Sequence, residues 1–325
     1  DADNGGFHYG RPQKIGGWSA RTLDTAITGN VRGIHTFLDL NETRHMGIGT
    51  HTHLYILSGD SKIIDITPLR AENEALSTDP FAMTSGSPTV TVTDTSHGAI
   101  TGDRAIFSGA TAAHGLTIDG EYTITKVDVD SYTITASGNA SGTGSGGGAS
   151  VLVDYTINVG EANSRLGKGW GTGTWGTSTW GTARTASDIV RDARTWALDD
   201  WGEDLVAAPY NGGLYVWDNS AAGRAAVVSN APAKVGLAIV SIPDRHLVVA
   251  GATASGAFDP LMVAWSDAED YTTWTAAAGN TAGTQRLQEG SRFTAIARTM
   301  SNQILIWTDR ALYSMQSIGQ PFTFG

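Results

Sequence analysis

"LMVAWSDAEDYTTW", residues 261–274, is the stretch whose reading decides the fold. An unbroken apolar run ends at Trp265, Ser266 and Asp267 open a polar turn, and Trp274 closes it. A short apolar run of strand length bounded by a turn reads as a strand. An Asp at the mouth of a turn accepts backbone N–H groups there, while a Trp beyond it packs its ring back under the loop.

The same run and turn recur along the chain. "LYVWDNS" places Trp217 and Asp218 at a strand end, and "ILIWTDR" does so with Trp307 and Asp309. The tryptophan spacings are 48 and 42 residues, and "LYILSGD", ending at Asp60, reads as an earlier copy without the Trp. A repeat of this length with several short strands per copy is the period of β-propeller blades. Between copies the strands "VGLAIVSI" (235–242), "RHLVVAGA" (245–252), "PLMVAWSD" (260–267) and "YTTWTA" (271–276) supply one blade. The turn at Asp267 is similar to the Asp-box hairpins of some propellers, with Asp270 and Tyr271 where a glycine is usual.

Residues 75–160 read differently. "TVTVTDT", "DRAIFSG", "EYTITKV", "SYTITAS" and "SVLVDYTINV" are short strands divided by turn signals, which predicts an inserted small β-barrel or sandwich. Its expected inward face is Val90, Val92, Tyr122, Ile124, Tyr132, Ile134, Val151 and Val153. The glycine-rich stretch 137–150 reads as a mobile hairpin loop. The fold expected is therefore all-β. Residues 1–74 begin a propeller-like body, 75–160 are the insert, 161–184 form a Trp/Gly-rich strap, and 185–325 hold further blades. One helix is expected, over "TASDIVRDARTWA" (185–197), capped by Ser187 or Asp188, with a loop holding one helical turn as the other reading.

Charge narrows the function. Asp and Glu number 32 against 21 Lys and Arg, a formal net charge of −11. Between Glu74 and Glu161, ten acids face only Arg104 and Lys126, a net −8. Nucleic-acid binding requires a basic footprint, and the sequence offers none of any size. Cysteine is absent, which removes thiolate zinc sites and cysteine nucleophiles. No apolar run approaches the roughly 18 residues of a membrane-spanning helix, and the start carries no signal-peptide pattern. The missing initiator Met and an end in mid-blade give the expectation that more chain lies on both sides.

Two clusters invite chemistry. "HMGIGTHTH" brings His45, His51 and His53 together with Asp39 near, and His51 and His53 share a face if the segment is extended. Without a further assured ligand, the reading is a half-exposed strand face and no metal. "LDDWGEDL" holds Asp199, Asp200, Glu203 and Asp204, read as a solvated acidic turn, since adjacency alone does not set two carboxyls across a cleft. No phosphate-binding or nucleophile-elbow motif occurs, and no catalytic residue or cofactor is expected.

"WGTGTWGTSTWGTAR" (170–184) repeats Trp170, Trp175 and Trp180 at a period of five, which suits neither a helix face nor a strand face. The expectation is an irregular strap whose rings drop into apolar pockets on this chain or a neighbour. Each buried ring contributes about 2–3 kcal/mol against the ordering entropy of its glycines.

Taken in order, "GRPQKIGGW" (10–18), "MGIGTHTHLYIL" (46–57), "DITPLR" (65–70), "VTVTDTSHGAITGDRAIFSGAT" (90–111), "GWGTGTWGTSTWG" (169–181), "WALDDWGEDLVAAPYNGGLYVWD" (196–218) and "WSDAEDYTTW" (265–274) resemble a family of phage virion structural proteins, the tail nozzle or tail tubular proteins of short-tailed phages. The resemblance implies a propeller-like body with a β insertion and no catalytic residues. It also implies a ring of six copies on the tail axis, contacts with adaptor and fibre proteins, assembly in the bacterial cytoplasm, and DNA that passes without binding. Trp170, Trp175, Trp180, Trp217, Trp265, Asp267, Trp274 and Trp307 are then packing or interface residues. A tail hub and a receptor- or glycan-binding propeller remain the competing readings.

Overall fold

A computed structural model describes residues 5–8, 11–14, 22–160, 162–163, 193–221, 223–319 and 323–325. Every regular element among them is a β-strand, so the chain is all-β. A hairpin of β1 (Gly5–His8) and β2 (Arg11–Lys14) comes first. The first blade is an antiparallel meander of β3 (Val31–Leu38), β4 (Arg44–Thr50), β5 (Leu54–Ser58) and β6 (Ile63–Asp65).

Nine strands follow: β7 (Leu69–Ala75), β8 (Phe81–Met83), β9 (Thr89–Thr93), β10 (Arg104–Ser108), β11 (Gly120–Thr123), β12 (Thr125–Lys126), β13 (Ser131–Thr135), β14 (Gly144–Gly146) and β15 (Leu152–Thr156). They form two open sheets, ordered β11-β10-β15-β7 and β12-β13-β9-β8-β14. Period-2 alternation sends Val90, Val92, Tyr132 and Ile134 from one sheet onto Ala105, Phe107, Val153 and Tyr155 of the other. The result is a sandwich rather than a barrel. The glycine-rich loop is more ordered than the sequence suggests, because β14 pairs with β8. A Cβ at Gly146 would lie 2.1 Å from the Ala113 Cβ, and Gly147, at φ +114°, backs onto the Phe81 ring. These glycines let two side chains press on the backbone.

The second blade is β16 (Trp196–Trp201), β17 (Asp204–Pro209), β18 (Tyr215–Trp217) and β19 (Ala226–Val227). The third is β20 (Val235–Val240), β21 (Leu247–Ala254), β22 (Ala257–Trp265) and β23 (Gly283–Arg286), and the fourth is β24 (Phe293–Arg298), β25 (Ile304–Thr308) and β26 (Leu312–Met315). First strands adjoin in sequence: β3 meets β16, β16 meets β20, and β20 meets β24. Blades therefore fan out from a shared inner edge, as in a propeller. The unbroken apolar run in β21 follows from this. Leu247 and Val249 face blade two while Val248 and Ala250 face blade four.

Two local readings are corrected. Residues 271–276 are not the last strand of blade three; that place belongs to β23, and the Asp267 turn holds 271–276 in a loop. The helix expected to end at 197 does not reach that far, since Trp196 and Ala197 pair with Pro209 and Ala208 in a sheet. Its residues 185–192, like the strap tryptophans Trp170, Trp175 and Trp180, lie outside the described residues.

Candidate functional site

The polar residues of the blades gather where the four inner strands meet. His35 on β3 places Nε2 2.8 Å from Asp200 Oδ1 and 3.7 Å from Asp199 Oδ1. Adjacent residues of a strand point to opposite sides, so Asp200 turns to blade one and Asp199 to blade three. Asp199 Oδ2 accepts the Val240 N–H of β20 at 2.7 Å and lies 3.6 Å from Arg298 Nη1 of β24. Arg298 in turn donates to the Val240 carbonyl. One network thus ties all four inner strands. Burial pushes the Asp199 carboxyl up, against the opposing pull of the Val240 amide and Arg298.

His35, Asp199 and Asp200 are the one group among the described residues whose ligand atoms gather closely enough for a metal, within 4.8 Å of one another. Arg298 already supplies a cation there, and every member has a polar partner. The arrangement works as an electrostatic staple at the blade axis. The acidic-turn reading of "LDDWGEDL" is corrected accordingly: Asp199 and Asp200 are strand residues, and Asp199 is buried. Glu203 remains in a turn, and Asp204 Oδ1 accepts the Asn219 N–H at 3.1 Å.

The histidines of "HMGIGTHTH" do not converge. His45 is buried on β4, with Nε2 3.2 Å from Asp39 Oδ2 and its ring stacked on Phe37. His51 Nδ1 accepts the Asn30 N–H at 2.7 Å, and burial, Arg32 and Arg104 push that imidazole below its usual range. His53 is buried, which corrects the half-exposed reading, and its Nε2 lies 2.9 Å from Glu121 Oε2 of the insert. Arg104 pairs with the other Glu121 oxygen. Burial pushes the Glu121 carboxyl up, but hydrogen bonds and charge from His53 and Arg104 outweigh it and hold the group at about 2. This trio joins blade one to the insert. Neither His35, Arg298, Glu121 nor Arg104 stood out in sequence, since each meets its partner across blades or across the insert boundary.

The glycines of "MGIGT" carried a signal after all. Gly47 and Gly49 share a face of β4, and a Cβ there would strike Leu205 and the Trp196 ring at 2.8 and 2.3 Å. Trp196 then donates from Nε1 to the Thr50 carbonyl at 2.8 Å.

The remaining tryptophans lie at blade boundaries. Trp217 is buried between blades one and two, and Trp274 between two and three. Trp265 packs toward blade four, with Nε1 donating to the Thr281 carbonyl. Asp267 Oδ1 accepts from the Ala268 and Thr281 amides and the Thr281 hydroxyl at 2.9, 2.8 and 2.6 Å, closing the long turn. Trp307 points away from blade three, on the outer face of blade four, because its strand neighbours Ile304 and Ile306 are the residues that face inward.

That outer face has a counterpart. On blade one, Ile34 and Leu38 are 59% and 55% exposed, beside Met46 and Leu57. On blade four, Leu312 is 55% exposed and pairs across the sheet with Trp307. Among the described residues, the outer faces of blades one and four thus carry exposed apolar side chains, with Leu23 and Ile27 covering part of the first.

No family model matches the chain, and no curated protein sequence matches it. Among solved structures it is similar to phage phi92 endosialidase, at a TM-score of 0.30 and 13% identity, over 90% of this chain and 42% of that one. The chain thus spans less than half the length of that protein. A superposition this loose transfers neither residues nor chemistry.

Proposed function

We propose that the chain is a structural component of a phage tail, a nozzle subunit that joins copies of itself in a ring through which DNA leaves the particle. The observation that carries a structural role is the body itself: four antiparallel sheets joined through apolar inter-sheet cores, tied at their inner strands by His35, Asp199 and Arg298. The exposed apolar side chains Ile34, Leu38 and Leu312 on its sheet faces are the kind that mark interaction surfaces, which suits a part built into a larger assembly. The ordered motifs from 10 to 274 support the tail assignment. The net charge of −11 suits a conduit wall, because few Lys and Arg side chains mean few phosphate contacts and little counterion release.

Electron microscopy of the purified chain tests this reading: the expected particle is a ring with a central hole. Duplex DNA should not be retarded by it in a gel at physiological salt. Solid particles without a channel, or binding that falls steeply with salt, would exclude the conduit. Specific retention on a glycan array would favour a receptor-binding propeller instead.

A further inference from the structure

We propose that the cleft between the base of the insert and the outer strands of blade two binds a small monocarboxylate with an apolar body, held by Arg70 and the hydroxyl of Tyr215. This site goes beyond the ring reading and stands whether or not a ring forms.

The cleft has a volume of about 330 Å³, at the small end of ligand sites, which run roughly from 300 to 1,000 Å³. Leu69 and Ile157 from the insert base and Pro209 and Val227 from blade two give it apolar walls. Pairing of β18 with β19 sets Tyr215 directly opposite Val227, so both side chains stand on the same face of the sheet. Gly213 keeps the phenol open, since a Cβ there would lie 2.7 Å from the Tyr215 hydroxyl oxygen.

The polar groups point to a ligand. Tyr215 is only 8% exposed and its ring packs in the core between blades one and two. Its hydroxyl nevertheless has no hydrogen-bond partner among the described residues. Polar side chains this far from bulk water are normally paired, and the cleft is where a partner for this one fits. Burial pushes the Tyr215 phenol up, against the pull of Arg194, so the group is a neutral donor.

Arg70 supplies the charge. Its guanidinium lies over the Tyr155 ring at 4.8 Å and donates through Nη1 to the His97 carbonyl at 3.0 Å. No carboxylate among the described residues pairs with it. The acids at the insert base are engaged elsewhere: Asp103 accepts from Asn158 Nδ2 at 2.7 Å and from the Ile100 amide at 3.0 Å, and Asp94 accepts from Tyr155. A second guanidinium stands close, with Arg194 donating to the Asn158 carbonyl at 2.6 Å.

A carboxylate suits this pair, because a guanidinium and one hydroxyl satisfy its oxygens with charge-assisted hydrogen bonds. A phosphate asks for more donors, and the glycine turn beside the cleft is not a nest of free amides. Gly212 already gives its N–H to the Pro209 carbonyl at 2.8 Å. The apolar walls then select a hydrocarbon body over a bare anion.

The test titrates the full chain with benzoate by calorimetry, with benzyl alcohol and inorganic phosphate as controls. Benzoate should bind, and both controls at least about tenfold more weakly. Tyr215→Phe removes no hydrogen bond within the protein, so it should melt like the wild type while weakening benzoate about tenfold. Val227 is 67% exposed, so a charge there stays out of the core. Val227→Glu should abolish benzoate binding and Val227→Lys should strengthen it severalfold. A wild type that ignores benzoate, or takes benzyl alcohol or phosphate equally well, overturns the carboxylate site. Unchanged binding by Tyr215→Phe, or the same effect from Glu and Lys at position 227, puts benzoate elsewhere and overturns it too.

Discussion

The blades and the insert solve the same problem in different ways. In the insert, two open sheets face one another, and one core running from Leu76 to Tyr155 takes the inward side chains of both. Each sheet has one apolar face, and the other face is free to be acidic. In the blades, every sheet is apolar on both sides, so each needs two neighbours. The cores lie between sheets, holding Trp196 and Trp217 at the first junction and Trp201 and Trp274 at the second. A sandwich is complete by itself, whereas a two-sided blade needs a neighbour on each face. That difference puts the acidic charge in the insert and the inter-sheet tryptophans in the body.

The comparison predicts separate energetics for the two regions. The largest effect should come from Trp196→Ala, which empties the junction of blades one and two and orphans the Thr50 carbonyl. It should cost about 3–5 kcal/mol and lower the melting of the blades, while the insert keeps its own transition in calorimetry. Phe107→Ala is the mirror experiment. Phe107 is buried edge-on against Phe81 at 5.2 Å, and its loss should cost about 3–4 kcal/mol in the insert alone. If either substitution shifts both transitions together, the two regions fold as one unit and the comparison breaks.

A smaller effect sharpens the picture inside the sandwich. Tyr155 donates its hydroxyl proton to the buried Asp94, accepts from the Tyr132 hydroxyl at 2.8 Å, and carries Arg70 over its ring at 4.8 Å. Burial, first of all, drives the Tyr155 phenol far above its ordinary range, so it stays a neutral donor. Tyr155→Phe should cost about 1–3 kcal/mol by leaving a buried carboxylate short of a partner, read as a shift in the insert's denaturation midpoint.

The smallest effect belongs to the link between the regions. Glu121 is held at about 2, below its ordinary 4.5, so its contribution is present above pH 4.5 and is lost as pH falls through about 2. After discounting for its partial exposure, the contribution is about 1 kcal/mol. Denaturant unfolding of wild type should weaken by that amount between about pH 5 and pH 2. Glu121→Gln should start weaker at pH 7 and lose no stability from this site across the same window. A variant with the wild-type pH profile would remove Glu121 as the latch.

The insert was legible because its strands alternate with period two and its turns are marked by Gly, Asp and Ser. Val90, Val92, Ile124, Tyr132, Ile134, Val151 and Val153 are all buried, and Tyr122 packs at the margin of the same core. Strands β8 and β14 escaped notice, being three residues each and one of them mostly glycine. In the blades, β3 was missed, because "VRGIHTFL" mixes both faces and carries a bulge near Gly33. The axial network was hidden for a different reason: its members come from positions 35, 199, 200, 240 and 298, and no local pattern links them.

Sequence alone determined the class and the rhythm: β-strands throughout, apolar runs punctuated by Trp and Asp at blade length, and an acidic alternating insert between them. These are properties of single strands and turns, which side-chain period and backbone preference dictate within a few residues. Only the tertiary structure decided which faces meet. It set Trp196 over Gly49, joined His53 to Glu121 across the insert boundary, drew His35, Asp199 and Arg298 to one axis, and left Ile34 and Leu312 uncovered. Burial and pairing across distant strands depend on how whole sheets stack, and that is a property of the assembled chain rather than of any stretch within it.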